Sequence, residues 1–192
     1  MKVVGVDEAI TLLKKGLPII FQTDTLPAIG CLPEYSKIIY EVKKRDKNKP
    51  LILMGSEINQ ITSYVHQKAK GDFIKLAEKF WPGPITLIIP IADQKKDVIT
   101  SNDNSLGIRI PNSSIAQKII FYTGPLVTSS ANLSGVSTSI SEKEVSTDFP
   151  NINILGPIPW EKCSGKASTI VSWNGNGNWK AIREGEIAFN EI

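Results

Sequence analysis

The chain has 192 residues, 41% hydrophobic and 21% charged, with a net charge of +3. Those values are ordinary for a water-soluble domain with one full core. No apolar run approaches the ~20 residues of a membrane span, and "MKVVGVDEAI" reaches an acid pair by residue 8 where a leader would be apolar. A cytoplasmic protein is expected. One histidine, His66, in a polar stretch, and two distant cysteines, Cys31 and Cys163, argue against a zinc site and for separate reduced thiols.

In chain order, "DEAITLLKKG" predicts a short helix with Asp7 as N-cap and Gly16 as the stop. "LPIIFQTDT" reads as a brief strand opening into a polar loop. "PEYSKIIYEVKKR" has helical spacing at Tyr35, Ile38, Ile39 and Val42, which places a basic cluster at a helix C-terminus. "KPLILM" predicts a buried strand, residues 56–65 and 68–80 two helical stretches, and "ITLIIP" a strand between prolines. "SLGIRIP" alternates, with Leu106, Ile108 and Ile110 on one face and Arg109 on the other. "SSIAQKIIFYTG" predicts a capped helix, "PLVTSSANLSG" a strand running into a small-polar loop, and "SEKE" at 141–144 a capping box. "ASTIVSWNGNGNWKAIREGEI" predicts two strands joined by a Gly/Asn turn, with Trp173 and Trp179 packed across it. Strands and helices interleave without linker or repeat, so one α/β domain over 1–192 is expected.

Charge is unevenly distributed. Residues 43–49 hold five basic side chains and one acid, a local +4 that leaves −1 for the remainder. A local excess suits a small polyanion better than whole-surface nucleic-acid binding. Familiar nucleotide motifs are absent. "CSGKAST" fails as a Walker loop because Trp160 stands at the first glycine and Ala167 at the magnesium-binding hydroxyl. A single histidine and no G-x-S-x-G exclude a Ser-His-Asp hydrolase of the usual form. What remains is a recurring pattern: apolar strands followed at once by hydroxyl and amide residues, in "FQTDT", "VTSSANLSG" and "ASTIV", with Arg109 ending a fourth strand. Strand ends of an α/β sheet are where ligands sit. Hydroxyls and amides there donate to phosphate or ribose, while Lys and Arg supply charge. The same residues also form ordinary turns.

Read together, "TDTLPAIGC", "KKRDKNKPLILM", "FWPGPITLIIP", "GIRIP", "PLVTSSANLSG", "STIV" and "IREGEI" resemble the successive signatures of the YrdC-like family, collinear from about residue 5 to residue 187. The Lys-x-Arg pair and the S-A-N-x-S-G block are specific in combination. The resemblance implies a twisted mixed α/β sheet around a large basic cavity. It further implies synthesis of threonylcarbamoyl-AMP from L-threonine, bicarbonate and ATP, with Mg²⁺ accompanying ATP, for modification of tRNA. Carried over by position, Lys43 and Arg45 would hold ATP phosphates, Ser130, Asn132, Ser168 and Arg183 would contact the nucleotide, and Arg109 would steady the threonine carboxylate. Ser129, Thr23 and Thr25 would line the threonine end.

Three positions depart from the family pattern. Pro27 stands where an aromatic walls the threonine pocket, Ala28 where a glycine is common, and Asp46 where a proline follows Lys-x-Arg. These changes leave room for a second reading, a non-catalytic paralogue whose basic cavity holds tRNA or double-stranded RNA.

Overall fold

The computed structural model describes residues 1–98 and 104–192. Its centre is one mixed sheet of ten strands: β1 (Val3–Val4), β2 (Ile19–Phe21), β3 (Ala28–Cys31), β4 (Ile52–Met54), β5 (Ile85–Pro90), β6 (Ser105–Arg109), β7 (Leu126–Ser130), β8 (Asn153–Leu155), β9 (Thr169–Trp173) and β10 (Trp179–Arg183). Their spatial order is β1-β8-β2-β3-β7-β4-β6-β5-β9-β10. Parallel pairs (β1 with β8, β2 with β8, β4 with β6, β5 with β9) join segments far apart in sequence. Hairpins β2–β3 and β9–β10 are local.

Helices cover both faces. On one lie α1 (Val6–Lys14) and α5 (Ser114–Thr123), packing Ala9, Leu13, Ala116, Ile119 and Ile120 onto Ile19, Phe21 and Met54. On the other lie α2 (Lys37–Lys43), α3 (Ile58–Thr62), α4 (Lys70–Phe80) and α6 (Glu142–Asp148), packing Ile39, Ile61, Phe73, Leu76 and Val145 with Ile20, Ile29, Leu53 and Leu87. The two faces sort by the two-residue strand period: Ile20 points to one core, and Ile19 and Phe21 to the other.

The expected elements are present, with adjustments at their ends. Helix α1 starts at Val6 after Gly5, so Asp7 lies in the first turn, where its charge meets the helix dipole instead of capping it. In α6, Ser141 accepts from the Glu144 amide, but the Glu144 carboxylate reaches the Ile140 amide, one residue before the cap. Ser129 and Ser130 are the last residues of β7, paired with Ile29 and Ala28, and not part of a loop after it. Trp173 and Trp179 are direct cross-strand partners, and His66 caps a 3₁₀ turn by accepting from the Lys68 amide. Strands β1, β3 and β8 were not expected from the sequence. The first and last have two and three residues, too few to show a period, and β3 follows a polar loop that reads as continuing.

Candidate active site

The Thr23–Thr25 loop leaves β2 and turns back into β3 around its own hydroxyls. Thr23 is buried; its Oγ1 donates to the Leu26 carbonyl (2.7 Å) and accepts from the Thr25 amide (3.2 Å). Arg109, at the end of β6 and only 3% exposed, fixes this loop from across the sheet. Its Nη1 donates to Thr25 Oγ1 (2.7 Å), its Nη2 to Asp24 Oδ1 (2.6 Å) and its Nε to the Gly83 carbonyl (3.0 Å). The glycine of "WPGP" is required by close approach, since a Cβ at residue 83 would lie 2.3 Å from the Phe80 oxygen. Burial pulls the Arg109 pKa down while Asp24 opposes the fall. The far oxygen of Asp24, Oδ2, is buried without a hydrogen-bond partner, so the ion pair with Arg109 carries the compensation for that buried charge.

Beside this knot runs the end of β7. The Ala131 amide donates to the Pro27 carbonyl (2.8 Å), and Ser130 Oγ donates to Asn132 Oδ1 (2.6 Å). The Asn132 amide nitrogen donates to the carbonyls of Leu133 (3.0 Å) and Val136 (2.9 Å), so its side chain organises the turn. Underneath lies Lys43, 1% exposed. Its ammonium donates to the carbonyl oxygens of Ser130 and Asn132. Burial, reinforced by nearby Arg45, pushes its pKa down to about 8, and Asp148 opposes this. Lys44 closes α2 in the left-handed conformation (φ 50°), and Arg45, half-buried, leaves in another direction. Its guanidinium donates to the carbonyls of Lys49 (3.3 Å) and Pro50 (3.0 Å).

The third wall comes from the C-terminal hairpin. Ser168 is buried and shares a hydrogen bond with Thr86 (2.8 Å). Arg183 on the edge strand donates through Nη2 to the Ser168 carbonyl (2.7 Å), and burial lowers its pKa. Thr169 secures the segment that follows β10: its Oγ1 donates to the Ile187 carbonyl (2.5 Å) and accepts from the amides of Gly185 and Ile187, both at 3.0 Å. Gly185 is required by close approach, since a Cβ there would meet the Ala167 oxygen at 2.2 Å.

These walls enclose a cavity of about 230 Å³. Seven of the residues proposed from sequence line it: Thr25, Arg45, Arg109, Ser129, Ser130, Ser168 and Arg183. Thr23, Lys43 and Asn132 stand behind the lining and hold it in place. Pattern reading missed the apolar and hydroxyl positions that complete the cavity, notably Pro50, Ile52, Met54, Thr128 and Thr138. The β4 period carries a signal for Ile52 and Met54, which share a face; Thr138 has no local signal. Three arginines and no carboxylate line the space. No group of three His, Cys, Asp or Glu side chains suited to a metal occurs among the described residues.

Comparison with known proteins agrees with this architecture. A family profile described as "Telomere recombination" (Sua5, YciO and YrdC) matches residues 11–185. The chain is 31% identical over 179 residues to the threonylcarbamoyl-AMP synthase of Buchnera aphidicola subsp. Baizongia pistaciae, covering 90% of this chain and 96% of that one. It is 28% identical to the Bos taurus threonylcarbamoyl-AMP synthase, covering 92% and 66%. Among solved structures, P. abyssi Sua5 complexed with L-threonine superposes with a TM-score of 0.89 at 25% identity, over 100% of this chain and 59% of that chain. E. coli YciO shares the fold, with a TM-score of 0.77 at 20% identity over 94% of this chain and 89% of the other.

Proposed function

The chain belongs to the Sua5/YciO/YrdC family, and from that premise we propose that it is an L-threonylcarbamoyladenylate synthase. It joins L-threonine, bicarbonate and ATP into threonylcarbamoyl-AMP, releasing pyrophosphate and water, for tRNA threonylcarbamoyladenosine modification. The observation that carries the reading is the convergence of Arg45, Arg109 and Arg183 with the hydroxyls of Thr25, Ser129, Ser130 and Ser168 on one acid-free cavity.

The chemistry suits such a site. The threonine amine takes up carbon dioxide, supplied by bicarbonate, as a carbamate. A carbamate oxygen attacks the α-phosphorus, the bond from that phosphorus to the α,β-bridging oxygen breaks, and pyrophosphate leaves with the electron pair. Positioning and charge neutralisation supply most of the acceleration in a transfer of this kind, so no histidine or serine nucleophile is needed. Arg45 and Arg183, at the rim, meet the phosphates. Ser130 and Ser168 take nucleotide hydroxyls or phosphate oxygens, and Asn132 holds the turn that presents them. Thr25, Ser129 and Arg109 form the threonine end, with Thr23 shaping its loop. Mg²⁺ enters with ATP as substrate. The decisive measurement is mass spectrometry of the protein with ATP, threonine and bicarbonate, alongside a pyrophosphate assay. A threonine-dependent adenylate is expected, and its absence under every condition overturns the reading.

A second reading, RNA binding, is favoured by the exposed Lys44, Lys47 and Lys49, neighbours in sequence of the cavity-lining Arg45 and Pro50. tRNA or double-stranded RNA held by them would lose affinity steeply as salt rises; a flat salt profile would rule it out.

A further inference from the structure

We propose that Lys43 is a positioning residue: its ammonium grips the carbonyl oxygens of Ser130 and Asn132, and so fixes the nucleotide-facing turn, instead of meeting the phosphates itself. The proposal rests on the synthase reading and concerns the division of labour within its site.

The observations are geometric. Lys43 is 1% exposed and lies outside the cavity lining, whereas Arg45 lies within it. The left-handed Lys44 separates them, ending α2 so that the residues on either side diverge. Lys43 spends its charge on two backbone carbonyls, and its own carbonyl accepts from the Ser134 amide (3.2 Å). The last turn of α2 and residues 130–134 are therefore bonded in both directions. A buried lysine is retained only where fixed acceptors compensate for the loss of water. Here the acceptors are the carbonyls of the residues whose side chains, Ser130 and Asn132, form the turn. The charged groups acting on the ammonium are Arg45, beyond the end of α2, and Asp148 on α6.

Phosphate count separates the two roles. A phosphate ligand strengthens ATP binding over adenosine binding, whereas a residue that shapes the turn affects adenosine, AMP and ATP alike. Calorimetric titration of all three into wild type, Lys43→Met and Arg45→Met tests this directly. Lys43→Met is expected to weaken all three by the same factor, roughly tenfold. Arg45→Met is expected to weaken ATP far more than adenosine. Lys43→Arg, which restores donors and charge, should recover part of the loss.

Should Lys43→Met fail to fold, the wild type carries the test, because burial pushes the lysine pKa down to about 8. A positioning role leaves the ratio of ATP to adenosine affinity constant between pH 7 and 9.5, since the neutral amine still donates to both carbonyls. Direct phosphate contact makes the ratio fall. An ATP loss in Lys43→Met that exceeds the adenosine loss severalfold, or a ratio that falls with pH, overturns the proposal and leaves the synthase reading intact. Wild-type protein that binds none of the three ligands overturns that reading, and this inference with it.

Discussion

Arg109 and Arg183 line the same cavity and have opposite situations. Arg109 is buried, and all three of its guanidinium nitrogens donate to protein partners: Thr25, Asp24 and Gly83. Arg183 sits on an exposed edge strand and is anchored through Nη2 to the Ser168 carbonyl. A guanidinium has five N–H donors. On the Arg109 side three of them are committed to architecture, building a rigid wall at the cost of a buried charge. On the Arg183 side much of the fork faces outward, so the strand delivers charge to a ligand at little cost to the fold. One residue type thus serves as keystone and as contact, and burial decides which.

The largest effect is expected where the keystone is removed. Arg109→Met should lower stability by about 3–5 kcal/mol, because it strands the Asp24 carboxylate in the interior; urea unfolding measures this. Adding Asp24→Asn should recover part of the loss, and additive losses would show that the two side chains act independently. Next comes Arg183→Ala. Its melting temperature should stay near wild type, while ATP affinity falls by roughly 1.5–3 kcal/mol, as for a charge-assisted contact. Calorimetry set against the melting curve checks both halves, and a parallel fall in stability would erase the contrast with Arg109.

Thr169→Val probes the link between the two modes. It removes three hydrogen bonds that hold the irregular segment following Arg183, and should cost about 1–3 kcal/mol by leaving buried groups unpaired. The smallest effect is expected outside the site. Asp72 Oδ2 accepts from Trp173 Nε1 (2.8 Å) and the Gly177 amide (2.7 Å), and these bonds hold its pKa below the ordinary value. Its folded form binds a proton less readily than its unfolded form. The stabilisation is therefore present above the ordinary carboxylate pKa and disappears as pH falls through the lowered one. Acid titrations of wild type and Asp72→Asn should converge at low pH and separate slightly near neutrality.

Much of this was legible in the sequence, and the gaps have physical causes. Helices α1, α4 and α5 and strands β5, β7 and β9 declare themselves through period and punctuation, because each is long enough to repeat its pattern. The collinear motifs placed seven residues on one cavity. Lys43 is harder to read. At a helix C-terminus a lysine ordinarily complements the dipole in water, as Lys44 does by position. Only the approach of residues 130–134, which lie far along the chain at the end of β7, shows that Lys43 is enclosed. Nor does the sequence announce the ion pair of Arg109 with Asp24. "SLGIRIP" reads as a strand with one exposed face, and the partner lies in another strand's loop. Pairings of that sort are set by β3, β7, β4 and β6 lying side by side in the sheet, which local pattern cannot encode.

The same topology has a kinetic consequence. The cavity draws its walls from segments near residues 25, 45, 52, 109, 129, 168 and 183, and the parallel pair β5–β9 must bring Ile85 to Thr169 before the third wall exists. Closing such distances costs chain entropy before any contact repays it, which makes folding slow in proteins dominated by non-local pairing. The cavity is therefore complete only when all of those long-range pairings are made. Any ligand of the cavity binds the native chain alone, and at a hundred times its dissociation constant it should add about 2.7 kcal/mol to the stability of the whole sheet.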